Sequence, residues 1–325
     1  MRNVAGRSPD CFQFVTTRVH YGAMSDDLPS PSRGSFSELH PVPTRRLARL
    51  WIVAIALATS MLACRIPGKS IVSKYHNVDQ FNFDVAMGPK QYHIEGYLTR
   101  SAENGRRPAL LVLNGGDDNV DRCVQMSQGI AAMGIQVACV NIPGYGGSSG
   151  PSRFVGQPSV LASRRALDML AGRTDVDSKR LAVWGLGHGA LAAGLLMDYD
   201  SRPRVLIFES GCYDPLTLWP VAPLRTKLSI LREVWPSKRI LKERSVIANL
   251  PPKLECSVLI MHGERDNRVP LGQAVKLADA LRVRGAKVST CYFPRASHNL
   301  GKRVEPELRA FLRDNLLDTD RAAAS

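Results

Sequence analysis

The segment from Trp184 to Ala190 has the form of a turn that presents a catalytic side chain. Its sequence, WGLGHGA, follows the apolar residues 181–183 and precedes a stretch of small residues that ends at Met197. A strand, a tight turn and a helix are the context in which the G-x-S-x-G motif exposes a serine nucleophile. The middle position here is Gly187. The pattern therefore predicts a nucleophile turn from which the hydroxyl is missing.

Two later segments place an acid and a base where such a turn would need them. Asp266 lies in MHGERD after the apolar run 257–261, and His298 lies in ASHN after the run 287–293. A carboxylate fixes the tautomer of a neighbouring histidine and stabilises its imidazolium, and the histidine then moves the nucleophile's proton. We expect Asp266 and His298 to form this pair, although a turn aspartate and a structural loop histidine are the simpler alternatives.

The elements that must position these residues alternate between strand and helix along the chain. Such alternation predicts an α/β fold with a mostly parallel sheet covered by helices on both faces, where ligands bind at the carboxyl ends of the strands. The first two strands, joined by Met87-Gly88-Pro89, predict an antiparallel hairpin at the sheet edge. The eight predicted strands cover residues 80–86, 91–99, 109–113, 135–142, 180–184, 205–208, 257–261 and 287–293, and the main helices cover 121–133, 159–170, 271–284 and 305–316.

Three further segments complete the predicted organisation. Residues 1–44 have no hydrophobic periodicity and are expected to be a disordered or untranslated extension. Residues 45–64 combine arginines with a short apolar run that ends at Cys64, which predicts a signal peptide of lipoprotein type, with Cys64 as the lipidated residue, or a membrane anchor. Residues 65–325 form the folded domain, and residues 211–252 interrupt its alternation as a predicted lid.

Composition narrows the classes of function. The chain has 325 residues, 44% hydrophobic and 22% charged, which is typical of a globular protein. Its net charge of +14 is compatible with nucleic acid or an anionic membrane. The basic residues are scattered and no aromatic-interleaved basic stripe is present, so we expect no nucleic-acid partner and favour a membrane surface. Cys139 is expected to act as a buried hydrophobe, and one cysteine pair could bridge in an oxidising compartment.

From residue 81 to residue 317 the chain resembles the α/β-hydrolase superfamily, in its dienelactone-hydrolase and prolyl-oligopeptidase-like esterase branch. Four segments carry the resemblance in the family's order. LNGG at 113–116 stands at the oxyanion loop, and NIPGYGGS at 141–148 stands at the D-x-P-G-x-G-x-S loop with asparagine for aspartate. MHGERD and ASHN supply the acid and the base. The resemblance implies an oxyanion hole from the backbone N–H groups of Gly116 and His188, and it implies no metal or organic cofactor.

The missing hydroxyl leaves three interpretations of function. The favoured one is a non-catalytic or weakly active protein of the cell envelope that binds an ester- or acyl-type small molecule, or a protein partner, beneath the lid. The second is an active ester or amide hydrolase with a displaced nucleophile, Ser210 or Cys212, after the next strand, where Glu209 or Asp214 could contribute. In the third, His298 and Asp266 activate water directly. The side chain of His188 is expected to be structural, as is that of His262.

Overall fold

The structure is a computed structural model, and it describes residues 74–116 and 120–317. The predicted extension at 1–44, the predicted signal or anchor segment at 45–64 and its Cys64 lie outside the described residues. Within the described part, no helix has the length and apolar character that crossing a membrane requires.

One eight-stranded sheet organises the described residues. Its strands are β1 (Val78–Met87), β2 (Lys90–Thr99), β3 (Arg107–Gly115), β4 (Gln136–Asn141), β5 (Val176–Gly187), β6 (Val205–Glu209), β7 (Ser257–Gly263) and β8 (Lys287–Phe293). They lie in the order β1-β2-β4-β3-β5-β6-β7-β8. Strands β1 and β2 form the predicted antiparallel hairpin at the edge, and β2 pairs antiparallel with β4. The remaining pairs are parallel.

Helices flank this sheet between the strands. They are α1 (Val120–Ala131), α2 (Gln157–Ala171), α3 (His188–Leu196), α4 (Pro215–Val221), α5 (Leu224–Glu233), α6 (Lys238–Glu243), α7 (Gly272–Val283) and α8 (Glu305–Leu312). The inner strands are mostly apolar because helices cover both sheet faces, and every residue of β4 and β6 is buried. The predicted α/β fold and its order of elements are confirmed.

The parallel strands bring the segments of interest to one edge of the sheet. Gly187 ends β5, Ser210 follows β6, and Asp266 and His298 follow β7 and β8. All four strands run in the same direction, so their carboxyl ends meet on one side, as expected for the ligand edge of such a sheet. The predicted lid, residues 211–252, leaves this edge after β6 and contains the short helices α4, α5 and α6.

The sequence-based expectation for Cys139 was wrong. Cys139 in β4 is not a free buried hydrophobe, because it forms a disulfide with Cys123 in α1. The two residues are 16 positions apart in sequence, and their Cα atoms are 6.1 Å apart. The bond fastens α1 to the sheet strand that it covers.

Candidate functional site

The turn at Gly187 has the backbone conformation of a strained elbow. Gly187 is the last residue of β5 and precedes α3, with φ 55° and ψ −113°. A residue with a Cβ is disfavoured in this region, and glycine enters it without that cost. A Cβ built on Gly187 would meet only the carbonyl oxygen of Gly115 within 4 Å, at 3.2 Å. The turn thus has the shape that presents a side chain, and it has room for the first atom of one.

The two glycines that flank the elbow allow the backbone to pack closely. A Cβ on Gly189 would lie 1.9 Å from the carbonyl oxygen of Leu113, and one on Gly185 would lie 2.3 Å from the carbonyl oxygen of Gly189. Both obstacles are backbone atoms, which cannot rotate away. Glycine at these positions therefore lets the start of α3 sit directly against the ends of β3 and β5.

Backbone register places the predicted oxyanion donors on either side of the elbow. In the β3–β5 ladder Gly115 lies opposite Gly187. Gly116 is the residue after Gly115, and His188 is the residue after Gly187. Their N–H groups are the ones that an oxyanion hole would use, and the first turn of α3 adds the positive end of a helix dipole. Asn114 holds this loop through a bond from its Nδ2 to Asn141 Oδ1 at 3.1 Å.

The structure brings together Asp266 and His298, the two residues predicted as an acid–base pair. His298 Nδ1 lies 2.7 Å from Asp266 Oδ2, and the other oxygen, Oδ1, accepts the N–H groups of Arg268 and Val269 at 2.8 and 2.9 Å. Burial alone would raise the pKa of Asp266, but hydrogen bonds from His262 and His298 outweigh it and hold this pKa well below its ordinary value. Because the ionised carboxylate can only accept, Nδ1 of His298 donates to it, and Nε2 is left as the ring atom that faces away from Asp266.

His262 is a second partner of the same carboxylate that the sequence did not reveal. Its fully buried ring places Nε2 2.9 Å from the carbonyl oxygen of Val269 and 3.3 Å from Asp266 Oδ2. Nδ1 of His262 has no hydrogen-bond partner among the described residues, so Nε2 is the donor. The histidine is structural, as expected, and it also fixes Asp266.

We expect Asp266→Asn to lower the free energy of unfolding by about 2 kcal/mol at pH 7, because an amide replaces an anion that accepts several buried hydrogen bonds. The folded-state pKa of Asp266 lies below the unfolded value of about 3.9. The carboxylate therefore stabilises the folded state fully above about pH 3.9, and this stabilisation is lost as the pH falls from about 3.9 towards the folded-state pKa. The difference between wild type and variant should therefore narrow below about pH 3.9. Urea unfolding at several pH values measures this.

Asp279→Asn is the matched control, since Asp279 forms an exposed pair with Arg282. It should cost less than about 0.5 kcal/mol at pH 7. Equal stability of wild type and Asp266→Asn at pH 7 would contradict the proposed role of the carboxylate.

The two residues predicted as displaced nucleophiles lie in buried positions. Ser210 has φ 50°, and its buried Oγ has no hydrogen-bond partner among the described residues, His298 included. Cys212 Sγ lies 4.0 Å from Gln273 Oε1, and burial raises the pKa of its thiol. The structure therefore brings neither side chain to the base, and the thiol is held in its less nucleophilic form.

The two carboxylates considered beside them have other partners. Glu209 is buried at the end of β6, 3.6 Å from Arg122 Nη2. Asp214 accepts the hydroxyls of Thr217 and Ser245 at 2.6 and 3.1 Å. Asp214 thus fastens the two ends of the lid segment to each other.

A second set of contacts fastens the lid to the elbow, and sequence patterns gave no sign of it. Tyr145 Oη donates to Glu233 Oε1 of α5 at 2.9 Å and lies 2.9 Å from Nδ1 of His188. The other oxygen of Glu233 accepts the N–H of Phe154 at 2.8 Å. Phe154 packs its ring edge against His188 and lies between Arg153 and Val155, all three with positive φ. The side chain of His188 therefore packs against Tyr145 and Phe154 next to the predicted lid, which is compatible with the structural role expected for it.

Other possible binding features lie elsewhere or are absent from the described part. A cavity of about 530 Å³ is lined by Tyr199, Pro251 and Cys256, at the sheet edge opposite to Gly187. No three histidine, cysteine, aspartate or glutamate side chains of residues 74–116 and 120–317 come together as a metal site.

Comparison with known families decides the relationship. The sequence pattern of the prolyl oligopeptidase family matches residues 123–313, which is more than half of the chain and includes Gly187, Asp266 and His298. The chain belongs to the prolyl oligopeptidase family. The resemblance inferred from the four motifs is thereby confirmed for the superfamily and for this branch of it.

Several known proteins are similar to part of the chain. An uncharacterised peptidase of Bacillus subtilis, YuxL, is 28% identical over 41% of this chain and 21% of its own length. An uncharacterised protein of Mycobacterium tuberculosis is 29% identical over 57% of this chain and 62% of its own. The acylamino-acid-releasing enzyme of Mus musculus is 25% identical over 56% of this chain and 27% of its own length. The chain thus spans less than two thirds of each of these relatives.

Solved structures share the fold. An acylaminoacyl peptidase of Pyrococcus horikoshii superposes with a TM-score of 0.61 at 17% identity, over 76% of this chain and 43% of that one. A puromycin-hydrolysing peptidase of Mycobacterium tuberculosis gives 0.62 at 19% identity, over 78% and 41%. At these identities the likeness shows the fold alone, an α/β-hydrolase sheet with flanking helices.

Proposed function

We propose that this protein binds an acyl- or peptide-type ligand at the Gly187 elbow without forming an acyl-enzyme. The observation that carries the proposal is the elbow itself. Gly187 has the backbone angles of a nucleophile turn, φ 55° and ψ −113°, but it has no side chain and therefore no hydroxyl. Loss of the serine costs about a million-fold in turnover in a well-studied triad protease. Ser210 and Cys212, the candidate replacements, are buried, and neither forms a hydrogen bond with His298 among the described residues.

Several features suit a ligand that carries a carbonyl group. The N–H groups beside Gly187 would donate hydrogen bonds to its oxygen, and no side chain at position 187 occupies the space in front of them. The lid, fixed through Glu233 and Tyr145, would cover the rest of the ligand. The relatives named as acylamino-acid-releasing enzymes make N-acylated peptides the first ligands to test.

The test is a thermal-shift and calorimetric titration of the full chain with N-acetylated di- and tripeptides, followed by mass spectrometry of the recovered peptide. We expect saturable binding, with the peptide returned intact after long incubation. Gly187→Leu, whose side chain would fill the space in front of the N–H groups beside the elbow, should weaken binding at least about tenfold. Peptide cleavage that His298→Ala abolishes would contradict the proposal.

The retained pair supports a second candidate function. His298 Nδ1 and Asp266 Oδ2 are 2.7 Å apart, a contact that ligand binding alone does not require. In this alternative Nε2 of His298 removes a proton from water, which attacks an activated ester held at the elbow. Hydrolysis in water enriched in oxygen-18, with the label in the acid product and no acylated protein during turnover, would favour this candidate.

We also propose that the protein is exported to the cell envelope. The disulfide between Cys123 and Cys139 supports this, because such bonds persist in oxidising compartments and are rare in the cytosol. Whether Cys64 carries a lipid is tested by metabolic labelling with a tagged palmitate. Label in wild type and none in Cys64→Ala would support lipidation, and absence of label in both would contradict it.

We expect replacement of the disulfide by two serines, Cys123→Ser/Cys139→Ser, to lower the free energy of unfolding by about 3 kcal/mol, the value for closing a loop of this length. Reducing agent should destabilise wild type by at least a similar amount. The matched control is Cys256→Ser, which removes a free cysteine. If Cys123→Ser/Cys139→Ser unfolded at the same denaturant concentration as wild type, the disulfide would not form.

A further inference from the structure

The outer surface of the lid exposes large apolar side chains. Leu224, Leu228 and Leu231 stand at helical spacing on α5, where they form one exposed stripe, while Ile230 faces the core. Exposed apolar residues precede and follow the helix. The basic lid face is defined here as this stripe together with Val221 and Trp235, which are 75% and 79% exposed, and the cations around them.

Positive charge surrounds this apolar stripe. Residues 220–244 contain seven lysines and arginines and two glutamates. Glu233 accepts hydrogen bonds from Tyr145 Oη and from the Phe154 N–H. Glu243 forms ion pairs with Arg239 and Arg244, at 3.5 Å from each. The exposed cations of the basic lid face are Arg225, Arg232, Lys238, Arg239 and Lys242.

We propose that the basic lid face binds the surface of an anionic lipid bilayer. Leucines and a tryptophan beside several lysines and arginines are the composition of helices that lie in the membrane interface, where apolar side chains enter the headgroup boundary and cations meet anionic lipids. A tryptophan exposed to this extent is suited to that boundary. An acidic protein would neutralise the positive charge but leave the leucine stripe in water. An anionic bilayer would contact both the leucines and the cations.

The contact would also affect the candidate site. Glu233, the last residue of α5, holds Tyr145, which in turn contacts His188 directly after the elbow. A lid bound to the membrane would therefore place the elbow next to the bilayer surface, where acylated ligands of low solubility gather. The proposal does not depend on whether the site turns over its ligand.

The test is sedimentation of the full chain with vesicles of phosphatidylglycerol and phosphatidylcholine, and with vesicles of phosphatidylcholine alone. We expect binding to the anionic vesicles, reduced at least about tenfold by Leu228→Ser/Trp235→Ser and by Arg232→Glu/Lys238→Glu. Val283→Ser controls for removal of an apolar residue that is 83% exposed elsewhere. Lys179→Glu/Lys287→Glu controls for charge, at the amino-terminal ends of β5 and β8.

A second measurement separates the lid from the amino-terminal apolar segment. In a Trp51→Phe/Trp219→Phe background, brominated lipids should quench tryptophan fluorescence, and Trp235→Phe should abolish the quenching because the remaining Trp184 is buried in the sheet. Binding that the lid variants leave unchanged would overturn the proposal. So would a dimer that forms without lipid and dissociates in Leu228→Ser/Trp235→Ser, since the face would then join two copies of the chain.

Discussion

Gly187→Ser should convert the protein into an esterase, with hydrolysis of 4-nitrophenyl acetate at least about a hundredfold faster than wild type. The reason is that the elbow already has the required φ and ψ, and a Cβ at this position meets only Gly115 O, at 3.2 Å. His298 is oriented by Asp266 and presents Nε2. The substitution therefore adds the one atom that a serine route lacks.

The same substitution should destabilise the fold slightly. A residue with a Cβ at this φ costs about 1–3 kcal/mol, so stability and activity should change in opposite directions. Gly187→Ala separates the two effects, because it carries the strain without the hydroxyl and should show no gain in activity.

Gly187→Ser/His298→Ala is the second control, and it should return the rate to that of wild type. If Gly187→Ser is folded, as judged by circular dichroism and its melting curve, and gains nothing, then His298 and the elbow are not in working geometry.

Gly189→Ala should have the largest effect on stability, a loss of more than about 3 kcal/mol, beyond the usual cost of overpacking. Its Cβ would lie 1.9 Å from the carbonyl oxygen of Leu113. Either α3 or β3 must move, and both border the elbow. Urea unfolding measures the loss of stability. A variant that does not fold at 25 °C would also be consistent with the predicted loss.

Gly272→Ala is the matched control for Gly189→Ala. Gly272 is the first residue of α7, and a Cβ there would meet no atom within 4 Å. Alanine should leave stability unchanged or raise it by up to about 1 kcal/mol. Similar behaviour of the two alanine variants would mean that the start of α3 does not pack against β3 as described.

The elements that position the site could be predicted from the sequence because each depends on local pattern. Apolar runs gave the strands, and β8 begins and ends at the predicted residues, 287 and 293. The elbow was visible because glycines at 185 and 189 flank a strand-to-helix boundary. Asp266 and His298 could be paired in advance because adjacent parallel strands bring their carboxyl ends together.

The contacts between the lid and the elbow, which sequence patterns missed, join segments far apart in the chain. Tyr145 and Glu233 are 88 residues apart, and Tyr145 and His188 are 43 apart. Nothing in the local pattern around Glu233 distinguishes it from a solvated glutamate on an amphipathic helix. The Cys123–Cys139 bond was missed because spacing does not select a pair, and strand periodicity alone made Cys139 look like an ordinary core residue.

The central claim is that position 187 is the nucleophile position and that no other side chain has replaced it. A fluorophosphonate probe, which reacts only with an activated hydroxyl, tests this directly by intact-protein mass spectrometry. We predict no adduct on wild type and one adduct per chain on Gly187→Ser, mapped to residue 187 and lost in Gly187→Ser/His298→Ala. An adduct on wild type that maps to Ser210, or to any other residue, would contradict the account.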